Sequence, residues 1–170
     1  LFVLNYAPNG MWTYFLSVYF MKNKDEDNNL DDDRLYEFLN KITAFIFAYA
    51  ITNPGVNALR TPVFAEMINI VENKEVTFDE YKFEKELLRS IIENYGFWNQ
   101  RPVTKSMLAW WAFNNEKQKL ISLENIFEIE HIYAKKRQEN EKTLSDDKLL
   151  DVLGNKAILE KRINIRASDY

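Results

Sequence analysis

The pattern of apolar residues changes once along the chain, near residue 121, and this change constrains the fold more than any other feature. Before it, apolar residues follow a helical pattern, as in the stretch MWTYFLSVYFMKNK. After it, the stretch ENIFEIEHIYA alternates. One side carries Phe127, Ile129, His131 and Tyr133, and the other carries Glu128, Glu130 and Ile132. A period of two is typical of a strand. The sequence therefore predicts a helical region followed by a mixed region.

The helical region contains four further signals. A long helix is expected from about Asp32 to Ala50, because three aspartates at its start suit the positive end of a helix dipole. A second is expected from about residue 57 to residue 71. A third follows a capping box that begins at Thr77, and a fourth lies in RPVTKSMLAWWAFNNEKQ with Thr104 as its cap. Glycine and proline number four each, which favours helices over a many-stranded sandwich.

The mixed region continues beyond the strand with a polar stretch, KKRQENEKTL, and a short helix capped by Ser145 in SDDKLLDVLG. NKAIL predicts a second short strand, and EKRINIRASDY is compatible with a final helix. The predicted fold is mainly α, of the α+β class. A helical domain covers residues 1–120, and a small strand–strand–helix unit covers residues 121–170, truncated at its C-terminal end.

Composition sets limits on the function. The net charge of −4 argues against a general nucleic-acid coat, and the absence of cysteine excludes disulfides and thiolate metal sites. No apolar stretch is long enough to span a membrane, so we expect a cytoplasmic protein. The first residue is Leu1, which indicates a fragment of a longer protein.

Charge is distributed unevenly along the chain. Residues 1–130 carry 13 basic and 19 acidic side chains, whereas residues 131–170 carry 9 basic and 7 acidic ones. The basic side chains of this last segment form either an ordinary solvated surface or a rim that contacts phosphates. The candidate phosphate contacts are Lys135, Lys136, Arg137, Lys156, Arg162 and Arg166.

His131 is the only histidine in the sequence, and the residues around it support two interpretations. Its neighbours on the same side of the strand are apolar, which favours a histidine packed in a core. Against this, Glu130 precedes it directly, and Asn155 and Asn164 follow in the second strand and the last helix. These polar residues favour an active-site imidazole over a core one, because histidine can exchange a proton near neutral pH.

The order of Glu130-His131, Gly154-Asn155 and Asn164 resembles the HNH branch of the His-Me finger nucleases. The motif IEHI…LGNKAIL…N looks most like the C-terminal domain of the GmrSD family of modification-dependent restriction endonucleases. The resemblance is specific over residues 126–166 and loose over residues 1–120. It implies a ββα-metal finger that cleaves double-stranded DNA in prokaryotic defence, with modified foreign DNA as a candidate target. It also implies a nucleotide-handling, ParB-like region upstream of the finger.

The resemblance also implies a role for each residue. His131 would be the general base, and Asn155 would hold its ring by a hydrogen bond. Glu130 and Asn164 would be oxygen ligands of one Mg²⁺ or Mn²⁺ ion. Since adjacent strand residues point to opposite faces, the strand must twist or bulge for Glu130 and His131 to share a phosphate.

Three positions depart from the family pattern. The proline expected after EHI is absent, since Tyr133 and Ala134 stand there. Lys156 replaces the usual leucine in GNLTLL, at a strand position expected to be exposed. Asn164 stands where other members of the superfamily have histidine, which is a stronger ligand. A non-catalytic helical interaction module with a degenerate finger is therefore the alternative, and a competent finger in an inert fragment is a third possibility.

Other groups of residues give weaker signals. The three aspartates at 31–33 are better explained as a charged helix start than as a metal cluster. Trp110 and Trp111 lie near Arg101 and Lys105 in the sequence, so their rings could stack on nucleic-acid bases. Alternatively, they belong to a helix that faces the core, and their apolar neighbours favour this interpretation. No Gly-rich phosphate loop and no GxSxG motif occurs, so the sequence gives no support to nucleotide triphosphate hydrolysis or serine hydrolase chemistry.

Overall fold

The computed structural model describes residues 1–53, 55, 57–119, 122 and 124–167, with the backbone alone for residues 166 and 167. It is mainly helical with one small two-stranded antiparallel sheet, which confirms the predicted mixture. None of the helices in these ranges is long and apolar enough to cross a membrane. The helices are α1 (Met11–Asn23), α2 (Asp32–Thr52), α3 (Arg60–Val71), α4 (Lys85–Asn94), α5 (Pro102–Phe113), α6 (Lys135–Glu141) and α7 (Lys161–Ala167), and the strands are β1 (Phe127–His131) and β2 (Lys156–Glu160).

The chain forms two compact units. The first consists of Leu1 and Ala7–Ile92, and the second consists of Phe2–Tyr6 and Glu93–Tyr170. Helix α5 thus belongs to the same unit as the sheet, and it contacts β2. The strand-bearing segment is therefore supported by a helix that precedes it.

The start of α2 agrees with the sequence. Asp31 is the N-cap residue, and its carboxylate accepts a hydrogen bond from the Arg34 N–H at 2.9 Å. Asp32 and Asp33 fill the first turn, where negative charge interacts favourably with the helix dipole. The aspartates at 31–33 thus have a structural role in starting a helix.

The start of α4 differs from the prediction, because Thr77 does not cap a helix. Helix α4 begins only at Lys85, after a left-handed residue, Phe78 (φ 53°), and a 3₁₀ turn. The buried Glu66 carboxylate accepts hydrogen bonds from the Thr77 N–H at 3.2 Å and the Phe78 N–H at 2.8 Å. Because Glu66 holds these two N–H groups, the segment forms a turn at the place where a capping box was expected.

Aromatic side chains fill the core of the first unit. The Phe78 ring stacks on Phe45 with centroids 3.7 Å apart, and its edge meets Phe15 at 5.9 Å. Phe15 also contacts Phe38, whose other contact is the stacked ring of Tyr19 at 4.1 Å. The turn that Glu66 holds thus delivers Phe78 into the centre of this unit.

Helix α5 begins at Pro102, with Arg101 as the N-cap residue. Proline suits the first turn because the N–H that it lacks has no helical partner there. Thr104 is not the cap that the sequence suggested, since its buried hydroxyl donates to the Trp98 carbonyl at 2.9 Å. This bond fixes the chain that leads into the helix.

The sheet pairs β1 with β2 in regular antiparallel register, from Phe127 opposite Glu160 to His131 opposite Lys156. The connection between the strands contains α6, where the sequence indicated only a polar stretch, and a 3₁₀ turn at Asp147–Asp151. Asp146, not Ser145, caps this turn, because its carboxylate accepts from the Lys148 N–H at 2.9 Å.

Candidate functional site

The two faces of β1 carry different chemistry. Phe127 and Ile129 are buried on one face, and His131 lies on the same side, as the alternation predicted. We call this side the imidazole face. Glu128 and Glu130 lie on the other side, which we call the carboxylate face, and Asn164 of α7 contacts it. The five paired residues show no bulge, so the distortion expected between Glu130 and His131 is absent from this strand.

His131 is closely surrounded on the imidazole face. Its side chain is 9% exposed, and its Nε2 atom lies 2.9 Å from the Lys156 ammonium and 3.6 Å from Asp151 Oδ1. Lys156 is directly opposite His131 in the register, and opposite residues of an antiparallel pair share a face. The pairing of the strands therefore brings the lysine to the imidazole.

The position of Lys156 differs from the one that the sequence predicted. It was expected at an exposed strand position with a phosphate contact, but its side chain is 0% exposed. Its ammonium donates to Asn99 Oδ1 at 2.7 Å and to Asp151 Oδ1 at 3.0 Å, in addition to His131. A buried ammonium needs such partners because its desolvation is costly. Lys156 therefore does not belong to the candidate phosphate contacts.

The lysine decides which imidazole nitrogen carries a proton. A charged ammonium has three donors and no acceptor, so Nε2 of His131 must accept from it. The proton of the neutral ring then lies on Nδ1. With one nitrogen protonated and the other bonded to Lys156, His131 has no free lone pair in this arrangement. Action as a base requires that Lys156 move away from Nε2.

The electrostatics of the cluster agree with a neutral ring. Burial lowers the pKa of His131 below its usual value, and the Lys156 charge adds to this, while a hydrogen bond with Asp151 opposes it. For Asp151, burial acts to raise the pKa, but the hydrogen bond and charge of Lys156, together with the Lys135 charge and a hydrogen bond with His131, lower it overall. The cluster thus favours an uncharged imidazole between an ammonium and a carboxylate.

Asn155 holds the backbone after β1. Its Oδ1 accepts from the Tyr133 N–H at 2.7 Å, and its Nδ2 donates to the carbonyls of Tyr133 at 3.2 Å and Leu150 at 3.1 Å. Its own carbonyl accepts from the Ile132 N–H at 2.9 Å. The side chain therefore fixes the loop that follows His131, in place of the expected hydrogen bond to the ring.

The same contacts explain the missing proline. Residue 133 must keep its N–H, because this group donates to Asn155. Ala134 has φ −65° and ψ 141°, and φ −65° is the value that a proline ring imposes. The backbone at Ala134 thus has the φ angle of a proline, although the residue is alanine.

Asn164 and two glutamates form the carboxylate face. Asn164 Nδ2 donates to Glu128 Oε2 at 3.0 Å, whereas its Oδ1 is buried without a hydrogen-bond partner among the described residues. Glu130, two residues along from Glu128, accepts a hydrogen bond from the His131 N–H at 2.9 Å. Glu130 and Asn164, the expected cation ligands, therefore lie on one side of β1, and His131 lies on the other.

Three acidic or imidazole side chains do not gather closely enough to hold a metal ion anywhere in the described ranges. The expected ligand pair contains a single residue of these types, Glu130, with an asparagine as the second ligand. Any cation on the carboxylate face would therefore take its ligands from Asn164, Glu130 and Glu128, and water would complete its shell.

The basic residues near the site differ in their availability. Lys135 and Lys136 are exposed on the first turn of α6. Arg137 forms an ion pair with Glu141 at 2.9 Å, and Arg162 forms one with Glu160 at 2.8 Å, so these two would have to exchange partners to bind phosphate. The Arg166 side chain lies outside the described part of the chain.

The tryptophans of α5 only partly follow the prediction of a core-facing helix. Trp111 is 82% exposed, which is incompatible with a core position. Arg101 lies over the rings of Tyr95 and Trp98, with centroid distances of 4.6 Å and 4.2 Å. These rings give the second unit a surface of aromatic and cationic groups.

Sequence reasoning missed Asn99, Glu128 and Asp151 as members of the site. Asn99 donates to the Ile129 carbonyl at 3.0 Å and accepts from Lys156. Glu128 was noted only as part of the strand alternation, and Asp151 only as part of a short helix. Local sequence signals are missing because the contacts are distant: Asn99 is 30 residues from Ile129, Glu128 is 36 from Asn164, and Asp151 is 20 from His131.

None of the protein-family models, curated proteins or solved structures compared with this chain matches it.

Proposed function

We propose that this protein is a metal-dependent DNA endonuclease of a prokaryotic defence system, with a His-Me finger formed by β1, β2 and α7. The motif resemblance supplies the reaction class, and the arrangement of the second unit supplies three of its requirements. These are a histidine at the end of the first strand, an asparagine that fixes the following loop, and an oxygen-rich face contacted by the last helix.

The observation that carries the proposal is the unpaired Asn164 oxygen. A buried acceptor without a donor costs on the order of 1–3 kcal/mol, so its retention calls for an explanation. A divalent cation would satisfy this oxygen. The Glu128 carboxylate is already in contact with Asn164, and Glu130 is on the same face of β1.

The donor set fits Mg²⁺ or Mn²⁺. Carboxylate and amide oxygens are hard ligands, and no thiolate is present in the chain. Such an ion, when bound, would stabilise charge on the phosphate that is attacked. The protein's own contribution is to hold Asn164 of α7 against Glu128, on the side of β1 that also carries Glu130, and to present the exposed Lys135 and Lys136 to neighbouring phosphates.

His131 remains the proposed general base, with two conditions that the structure adds. Because β1 shows no bulge, the strand must distort for His131 and Glu130 to face one phosphate. Lys156 must also leave Nε2, and an Nε2–H turned towards Asp151, which lies 3.6 Å away, then leaves Nδ1 free to accept a proton. Asp151 would then orient the ring.

The test is Mg²⁺-dependent nicking of supercoiled plasmid. The assay uses the 170-residue chain. His131→Ala should reduce the rate on the order of 10²–10⁴-fold if His131 is the base. Asn140→Ala, an exposed change in α6, is the matched control and should retain activity. Undiminished cleavage by His131→Ala would reject the assignment.

A second function is favoured by the Lys156 contact, namely a binding module whose finger has lost catalysis. An imidazole with both nitrogens occupied is what a degenerate site would show. Lys156→Leu separates the two functions. In a nuclease, this change frees Nε2 for Asp151, and nicking should persist or increase. In a degenerate finger, neither the wild type nor this variant should cleave DNA, while both should still bind it.

A further inference from the structure

The first unit contains an open cleft of ≈ 730 Å³ that is separate from the nuclease candidate. This volume lies within the range of about 300–1,000 Å³ found for sites that bind small molecules. Its walls come from α1, α2 and the end of α3 with the segment that follows it. All of its lining residues belong to the first unit, so the cleft lies within a single compact unit.

The cleft is basic within an acidic unit. Residues 7–92 carry 9 basic and 14 acidic side chains, yet four basic and only two acidic side chains line the cleft. Lys41 is paired with Glu75 at 2.6 Å, and Lys74 is paired with Glu72 at 2.6 Å. The other acidic lining residue, Glu37, is exposed.

Two cations in the cleft have no such partner. Lys22 and Arg34 are exposed, and neither side chain has a hydrogen-bond or ion-pair partner among the described residues. Arg34 lies close enough to Tyr19 to influence it. Burial raises the pKa of the Tyr19 hydroxyl, and the Arg34 charge opposes this, while Asp31 and Glu37 act with burial. Lys22 and Arg34 are therefore free to bind an anion beside an aromatic ring.

The floor of the cleft is apolar. Phe38, Ile70 and Val76 are buried at 5–7% exposure, and the Tyr19 ring stacks on Phe38. A small inorganic anion would use the cations and make no contact with the apolar lining. A ligand that combines an anionic group with a flat apolar body would cover both, and asparagine amides at the rim can hydrogen-bond to its edge.

We propose that this cleft binds a small phosphate ester of an aromatic or heteroaromatic group. The phosphate would be held by Lys22 and Arg34, since a guanidinium matches phosphate geometry with two parallel hydrogen bonds. The ring would lie against the wall formed by Tyr19, Phe38 and Val76. This inference is independent of the nuclease activity, because none of the residues involved belongs to the second unit.

The experiment is isothermal titration calorimetry of the chain with three probes: phenyl phosphate, adenosine monophosphate and inorganic phosphate. The first two should bind more tightly than inorganic phosphate, and their binding should weaken as salt increases. Tighter binding of adenosine monophosphate than of phenyl phosphate would indicate that the natural ligand is a nucleotide. Equal binding would identify simpler aryl phosphates.

Lys22→Gln and Arg34→Gln should each weaken binding of phenyl phosphate about tenfold or more, because each removes a charge-assisted hydrogen bond. Lys85→Gln removes an exposed charge of the same unit outside the cleft, and should leave the affinity unchanged. Far-ultraviolet circular dichroism should be the same for all variants. The proposal is overturned if no probe binds, if inorganic phosphate binds as tightly as phenyl phosphate, or if Arg34→Gln binds like the wild type.

Discussion

The two faces of β1 differ in how completely their polar atoms are paired. On the imidazole face, the Lys156 ammonium uses its donors on Asn99, Asp151 and His131. On the carboxylate face, Asn164 Oδ1 has no partner among the described residues, although Asn164 Nδ2 is bonded to Glu128. The same strand thus carries a closed cluster on one side and an incomplete one on the other.

This difference separates two parts of the proposed site. A closed cluster contributes to stability and resists change, whereas an incomplete one gives up stability and can take a ligand. Substitutions on the imidazole face should therefore cost folding free energy. Substitutions on the carboxylate face should cost cation binding and little stability.

The largest effect on stability is expected from Asn155→Ala. It removes three side-chain hydrogen bonds that hold the loop after His131, so the free energy of unfolding should fall by about 2–3 kcal/mol. Urea denaturation followed by circular dichroism measures this, with Asn140→Ala as the control. A loss below about 0.5 kcal/mol would show that the loop does not depend on these bonds.

Lys156→Leu should have the next largest effect. Removing one partner of a buried charge cluster costs several kcal/mol, but Asp151 is 22% exposed and can be rehydrated, so about 2 kcal/mol is expected. Lys148→Leu, at an exposed position of the 3₁₀ turn, is the comparison in the same denaturation experiment. Equal stability of the two variants would contradict a closed imidazole face.

Ala134→Pro tests the loop without touching either face. Because φ at this position is −65°, the substitution should stabilise the protein by about 0.4–1 kcal/mol, through the reduced entropy of the unfolded chain. Tyr133→Pro, one residue earlier, is the matched opposite change. It should destabilise the protein, because the Tyr133 N–H donates to Asn155. The reverse order in thermal denaturation would show that the loop has another conformation.

The pH dependence from His131 should be the smallest effect on stability. The pKa of His131 is lowered by burial and by Lys156 from its ordinary value of 6.5, so on acidification the unfolded chain takes up this proton first. The contribution of His131 is therefore complete above about pH 6.5 and is lost as the pH falls below it. His131→Gln should remove this dependence between pH 5 and 8, roughly the range in which histidine alone titrates. NMR titration of the single imidazole provides the folded pKa, and a raised value would contradict the cluster.

Several elements followed directly from local pattern. The alternation around His131 predicted β1, NKAIL predicted β2, and the aspartates before α2 predicted its start, because each signal depends on neighbouring residues. The capping box at Thr77 was wrong, because Glu66, 11 residues away along the chain, binds that N–H. Local rules do not include such a competitor.

The composition of the site could be predicted only in part. The motif identified His131, Glu130, Asn155 and Asn164, but it did not specify which of them share a face. Burial of Lys156 depends on the register of β1 and β2, and the 24 residues between the two strands leave that register open at the level of sequence. Asp151 becomes a partner of the imidazole only after that register is set.

The most direct test of the proposed cation site is an NMR titration with Mn²⁺, whose paramagnetism broadens signals of nearby groups. We expect the side-chain amide of Asn164 and the backbone amides of Glu128 and Glu130 to broaden first. Asn164→Leu should abolish this effect while changing stability by no more than about 0.5 kcal/mol. Unchanged Asn164 signals at Mn²⁺ concentrations that broaden residues elsewhere would contradict the site and the nuclease mechanism built on it.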